Sequence, residues 1–255
     1  MSTLTAPGTP SQPQDQTPQE QTPQDRAPKT RSPLPGWVEV GVIIGFFILS
    51  EALPGLPLSG PIAVIASMIF ATYCMSRRGE SWRDLGLRWA NTRGDYLKGA
   101  GMVVLVFLGA SLANALLLAV LPLLLGADAE RALPDVSTLG SYVLMMAIVW
   151  TTAAFGEEMV FRGYLMSRFS RFMGDGRGAW VLAAVFQAIF FGLVHSYQGI
   201  GGIITTGFVG LVFGLLYLVA RRNLWPMIIG HGLLNTFGIT ALYLQAIGAL
   251  PPGTV

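Results

Sequence analysis

The chain has little charge. Only 12% of its 255 residues are Asp, Glu, Lys or Arg, about half the roughly 25% of an ordinary soluble domain. It has one cysteine, Cys74, and two histidines, His195 and His231. Each shortage excludes something. A lone cysteine rules out a disulfide-stapled secreted domain. A net charge of +2 leaves no basic face for nucleic acid. Scarce charge beside 52% hydrophobic residues excludes a cytosolic globule and predicts a polytopic membrane protein of the all-α class.

The composition is uneven. Residues 1–35 hold 8 of the 16 prolines and six glutamines. Such a segment cannot bury enough apolar surface to offset its ordering entropy, so a disordered, Pro/Gln-rich cytoplasmic tail is expected there. A polyproline ligand role is the minor alternative. No apolar h-region follows Met1 within the first 30 residues, so a signal peptide is not expected. Residues 36–250 are read as one membrane-embedded domain.

Apolar runs predict membrane helices near 37–53, 60–76, 98–125, 139–172, 179–196, 201–220 and 225–247, about seven in all, with six to eight as the range. A span needs about 20 residues at 1.5 Å each, so the first is short, and Pro54 and Pro57 follow it. Threading seven spans with the N-terminus inside puts 15 of the 16 basic residues on the cytoplasmic side, leaving Arg131 outside. A multi-pass protein of a bacterial inner membrane is expected, with the lipid bilayer as partner. Residues 81–89, SWRDLGLRW, read as an amphipathic surface segment offering Trp82, Leu85, Leu87 and Trp89 to the interface. Gly210 and Gly214, four apart, suit close helix packing.

Ionisable groups inside a membrane are costly and therefore point to function. The candidates are Glu39 and Glu51 in the first helix, Glu157 and Glu158 in the fourth, His195 in the fifth and His231 in the seventh. Glu158 and Arg162 are four apart with the acid first, the favoured order for a same-face pair. Glu157 lies about 100° further round an α-helix and is not satisfied by that pair, which makes it the candidate base. Phe191 and His195 are also four apart, and the ring would wall the imidazole. His231 and Asn235 repeat the spacing and bring two donors to one point, as an oxyanion requires.

Taken singly, each feature has a bland counterpart. A membrane histidine more often bonds a neighbouring helix than catalyses, a Glu–Arg pair is commonly structural, and Asn235 could bond another helix. Glu39 and Glu51 lie near helix ends without spaced partners and are assigned to such roles. The joint occurrence of the other groups, in three short clusters, sets them apart. Helix levels impose a condition. His231 lies about six residues, ~9 Å, from the turn at 222–225, whereas Glu157 and His195 lie ~25 Å from the turn near 174–178. They share a level only if the fourth and fifth helices project roughly 15 Å beyond the cytoplasmic face.

Glu157-Glu158-x-x-x-Arg162, Phe191-x-x-x-His195 and His231-x-x-x-Asn235 resemble, in order and spacing, the three motifs of the CPBP intramembrane proteases. This is the CAAX protease and bacteriocin-processing, or Abi, family, which includes the type II CAAX prenyl endopeptidases. The resemblance spans roughly 140–240. WRDLGLR at 82–88 is similar to a segment common upstream in bacterial members. The resemblance implies a membrane endopeptidase in which Glu157 activates water with the help of His195. His231 and Asn235 would form the oxyanion hole, with Glu158, Arg162 and Phe191 in support. The expected partner is a membrane-associated peptide or protein. No cofactor is favoured. Two histidines and a carboxylate would suffice in number for a three-ligand zinc or other divalent site, but HExxH is absent. The competing functions are a non-catalytic scaffold or bacteriocin immunity protein and, further off, a proton- or ion-coupled transporter, for which no inverted repeat is found.

Overall fold

A computed structural model describes residues 2, 34–53, 58–126 and 133–251. The tail reading over 1–35, apart from residues 2, 34 and 35, and the placement of Arg131 lie outside the described residues. The described residues form seven helices and no strand: α1 Gly36–Ala52, α2 Ser59–Arg77, α3 Arg93–Leu125, α4 Leu139–Phe172, α5 Arg177–Leu193, α6 Gly199–Val219 and α7 Leu224–Ala246. Five of them, α2, α3, α4, α6 and α7, are long and apolar enough to cross a membrane. α1 and α5 have 17 residues each. The chain is an all-α polytopic membrane bundle.

Polar caps set several boundaries. Thr92 and Asp95 form a reciprocal capping box, which starts α3 five residues before its apolar run. Thr138 and Ser141 do the same for α4. Asn223 accepts the Trp225 amide at the start of α7. α5 ends earlier than its apolar pattern. It stops at Leu193, so His195 lies not within the fifth helix but in the turn leading to a short 3₁₀ segment, Ser196–Gln198.

The middle of α4, Val149–Leu165, is wound as a π-helix, and the Met166 amide reaches back to the Phe161 carbonyl. At its start the hydroxyls of Thr151 and Thr152 donate to Ala147 O (2.6 Å) and Ile148 O (2.9 Å), offering other partners to carbonyls that the shifted ladder leaves. Wider i→i+5 winding is associated with functional sites. It also makes successive side chains diverge by less than the α-helical 100° expected between Glu157 and Glu158.

α6 packs on α5, α7 on α3 and α4, and α1 on α2. The small residues explain the closest crossing. A Cβ at Gly192 would lie 2.6 Å from the Ile203 carbonyl, and one at Gly207 3.5 Å from Gly192 Cα. Gly210 and Gly214 face Phe191 and Ala184 in the same interface, as their spacing predicts. A Cβ on Gly163 would sit 3.2 Å from Leu224 Cδ1, so α7 begins level with Gly163. The rest of α4, Tyr164–Phe172, runs on for ~13 Å past that level.

The projecting end is held by buried charge. Glu39 was expected to be a helix-end residue without a partner, but it is fully buried. Arg78 lies 2.6 Å from Oε1, Tyr164 donates its hydroxyl to Oε2 at 2.7 Å, and Arg168 pairs with Oε2 at 3.5 Å. Glu80 binds Arg168 at 2.7 Å and Arg171 at 2.6 Å. These partners are distant in the chain, which is why no local spacing announces them.

The 81–89 segment also departs from expectation. It is not an amphipathic element lying on the surface. Leu85 is buried, while Trp82 and Leu87 pack against the core. The Leu85 carbonyl accepts from the Tyr217 hydroxyl at 2.8 Å, and the Gly86 carbonyl accepts from the Leu224 amide at 2.9 Å. Gly86 has φ +105° and abuts the Arg222 carbonyl, where a side chain has no room. Arg88 donates to the Arg221 and Arg222 carbonyls. Trp89 remains exposed, edge-on to Trp225. The segment is a plug that ties the α2–α3 connection to the α6–α7 turn.

Candidate active site

The π-wound part of α4 carries the acids. Glu158 is fully buried, and its Oε1 takes two bonds, from Arg162 Nη1 at 3.0 Å and from His231 Nδ1 at 2.8 Å. The i,i+4 pair thus forms, and α7 adds its histidine. Arg162 also donates through Nη2 to the Gly210 carbonyl at 3.1 Å. Gln187 of α5 donates to the same carbonyl at 2.9 Å. The guanidinium lies over the rings of Phe191 and Phe213, 4.7 and 5.2 Å from their centroids. Phe213 flanks His231 at 5.2 Å as well. The pair is held from several sides, but Glu158 Oε2 and Arg162 Nε are buried without hydrogen-bond partners.

Glu157 is different. It is half-buried, and among the described residues it forms no hydrogen bond or ion pair, although it lies within electrostatic reach of His231 and Arg162. His195, also half-buried, contacts the Phe191 carbonyl through Nδ1 at 2.7 Å, and its ring lies 4.7 Å from that of Phe191. A carbonyl only accepts, so Nδ1 carries the proton, and whenever the ring is neutral its Nε2 is unprotonated. His231 is oriented likewise. With its Nδ1–H on Glu158, Nε2 is the free nitrogen. His195 lies within electrostatic reach of His231 and Arg162. Asn235 is half-buried one turn beyond His231 on α7 and forms no hydrogen bond among the described residues.

Residues 139–237 match the family described as type II CAAX prenyl endopeptidase Rce1-like. This segment is similar to the CAAX protease family. No curated protein and no solved structure matches the chain. The matched segment runs from the start of α4 into α7 and contains every candidate from Glu157 to Asn235, whereas α1–α3 lie outside it. The match points to a hydrolase of peptide bonds, carried in a multi-pass membrane bundle.

Among the described residues, no three His, Cys, Asp or Glu side chains group closely enough to hold an ion. The Glu158 Oε1 that His231 approaches is already bound to Arg162.

Spacing alone did not find two members of the cluster. Gln187 is a polar residue deep in an apolar helix, four before Phe191, and that isolation was the available signal. Phe213 had none, since a phenylalanine in an apolar helix is unremarkable until its neighbours are known. Glu51, at the end of α1, accepts from Ser196, the residue after His195, a partner that no spacing within the helix announces.

Proposed function

We propose that this chain is an intramembrane endopeptidase that hydrolyses a peptide bond with water activated by Glu157 and His195. What supports the reading most is the contrast between the two adjacent acids. Glu158 is engaged by Arg162 and His231, while Glu157 is unengaged and within electrostatic reach of His231.

In this scheme water lies between Glu157 and His195 Nε2. Glu157 takes a proton as the water oxygen bonds to the scissile carbonyl carbon. His231 Nε2 and the Asn235 amide face the resulting oxyanion, with His231 donating when its ring carries a second proton. Collapse of the intermediate breaks the C–N bond, and Glu157 returns its proton to the leaving amine. Glu158 and Arg162 hold His231 in place rather than meeting the substrate, and Phe191 orients His195.

The substrate would be a membrane-associated protein or peptide, and the family description points to a prenylated CAAX end. The basic connections support a sided insertion. Arg88 bonds the α6–α7 turn, and Glu80 joins the α2–α3 connection to Arg168 and Arg171 of α4, so these basic segments share one end of the bundle. Read by the positive-inside rule, that end is cytoplasmic. The deciding experiment places the full chain in lipid nanodiscs with a fluorogenic farnesylated CAAX peptide. Cleavage by the wild type and its loss in Glu157→Gln is the expected result. Undiminished cleavage by the variant would remove Glu157 from its role.

A further inference from the structure

We propose that Glu51, on α1, is a positioning residue that fixes the His195 turn through Ser196. The proposal rests on the catalytic reading above. Glu39, Ile43, Phe47 and Glu51 are spaced by four and form one stripe along α1. The first three are buried, and Glu39 anchors the stripe to Arg78, Tyr164 and Arg168. Phe47 then packs against Phe161 and Phe190 at 5.3 and 5.7 Å, and Phe161 against Phe191 at 4.9 Å. This aromatic chain runs from α1 to the residue whose carbonyl binds His195. Glu51 completes the stripe, with its Oε2 2.5 Å from Ser196 Oγ.

The turn that carries His195 needs such a hold. His195 has left the helical ladder, with φ −106° and ψ 20°, and the turn closes at Gly199 with φ +79°. Ser196 and Tyr197 are exposed. The bond from Phe191 fixes the imidazole relative to α5. It does not fix the turn relative to α1. A hydroxyl bound to a carboxylate is a short, charge-assisted hydrogen bond, and here it joins the residue next to His195 to a separate helix. Tyr197 supports the placement, since its ring is 5.8 Å from that of His195 and it lies within electrostatic reach of both Glu51 and Glu157. Glu51 lies outside 139–237, so α1 contributes to a site whose motifs are all elsewhere.

The test uses the full chain in nanodiscs with the farnesylated CAAX peptide, and the variants Glu51→Ala, Glu51→Gln, Ser196→Ala and the double Ala variant. Misplacement of a catalytic group by an ångström costs about 10²-fold. The Ala variants should therefore lose roughly 10- to 100-fold in kcat with KM little changed. The double variant should match the singles, and Gln, which still accepts a hydrogen bond, should restore most of the rate. An unchanged kcat, a rise in KM alone or additive losses would each overturn the proposal. Nitrogen-15 NMR of the two histidines provides a readout without substrate. Glu51→Ala should broaden or shift the His195 ring signals and leave those of His231 in place, and an unchanged His195 spectrum would overturn the proposal. If the wild type fails to cleave, the catalytic reading falls and the spectrum alone decides the positioning. If Glu51→Ala does not fold, Ser196→Ala carries both measurements.

Discussion

His231 Nδ1 lies 2.8 Å from Glu158 Oε1, the same oxygen that Arg162 binds at 3.0 Å. The three residues come from two helices and form one unit, so they should fail as one. Removing Arg162 leaves the Glu158 carboxylate buried without its cation, which costs about 3–5 kcal/mol. Arg162→Ala should therefore lower the thermal midpoint in detergent sharply. Arg162→Lys should recover little, because one ammonium cannot reproduce a planar group that bonds both Glu158 and the Gly210 carbonyl. A lysine variant as stable as the wild type would contradict this account of the guanidinium.

Glu157 and Glu158 should separate in their effects. Glu157 has no hydrogen bond to lose, so Glu157→Gln should unfold near the wild-type temperature while turnover falls about 10²–10⁴-fold. Glu158→Gln exchanges the charge that faces Arg162 for a neutral amide, and stability should drop together with turnover. Paired thermal melts and rate measurements compare the two directly. Equal loss of stability in both variants would oppose the division of roles.

Glycine substitutions offer a purely steric test. At Gly192 a new methyl would meet the Ile203 carbonyl at 2.6 Å, and backbone cannot swing aside. Gly192→Ala should destabilise by about 1–3 kcal/mol through overpacking. Gly101 lies in α3 with open space around its Cβ position, so Gly101→Ala should be neutral or slightly stabilising, by up to about 1 kcal/mol from helix propensity. Thermal midpoints of the two variants should move in opposite directions or differ clearly.

Glu80 lies outside the membrane spans. Burial raises its proton affinity, but the hydrogen bonds and charges of Arg168 and Arg171 outweigh that and hold the carboxylate below its ordinary value. A depressed folded-state value means that ionised Glu80 stabilises the fold at pH above about 4.3, its unfolded value. That contribution disappears as pH falls through the folded-state value. Glu80→Gln should thus be less stable than the wild type near pH 7, and the gap should close on acidification. Melts from pH 7 to pH 3 provide the check, and a gap that widened with acid would have the wrong sign.

Much of this was legible in the sequence because membrane helices announce themselves by apolar runs and catalytic helices by interruptions of those runs. The fourth helix, expected at 139–172, is Leu139–Phe172. The two breaks have local causes. Polar caps carry α3 back to Arg93, and α5 stops before His195. The motif spacing brought Glu158 to Arg162 and Phe191 to His195, contacts within one turn. What could not be read were bonds between distant segments, such as Glu39 to Tyr164 and Glu51 to Ser196, separated by 125 and 145 residues. The π winding was hidden too, since it follows from hydrogen-bond register and not from apolar pattern.

The buried carboxylate of Glu39 has a consequence for how the protein is made. Tyr164 and Arg168 are synthesised long after α1 has left the ribosome. Until α4 arrives, α1 brings to the bilayer an acid that lacks these partners, on a helix of 17 residues, fewer than the ~20 that span comfortably. α1 is therefore a poor autonomous anchor. Its settled insertion depends on a helix translated later, so α1 is fully secured only once α4 is in place.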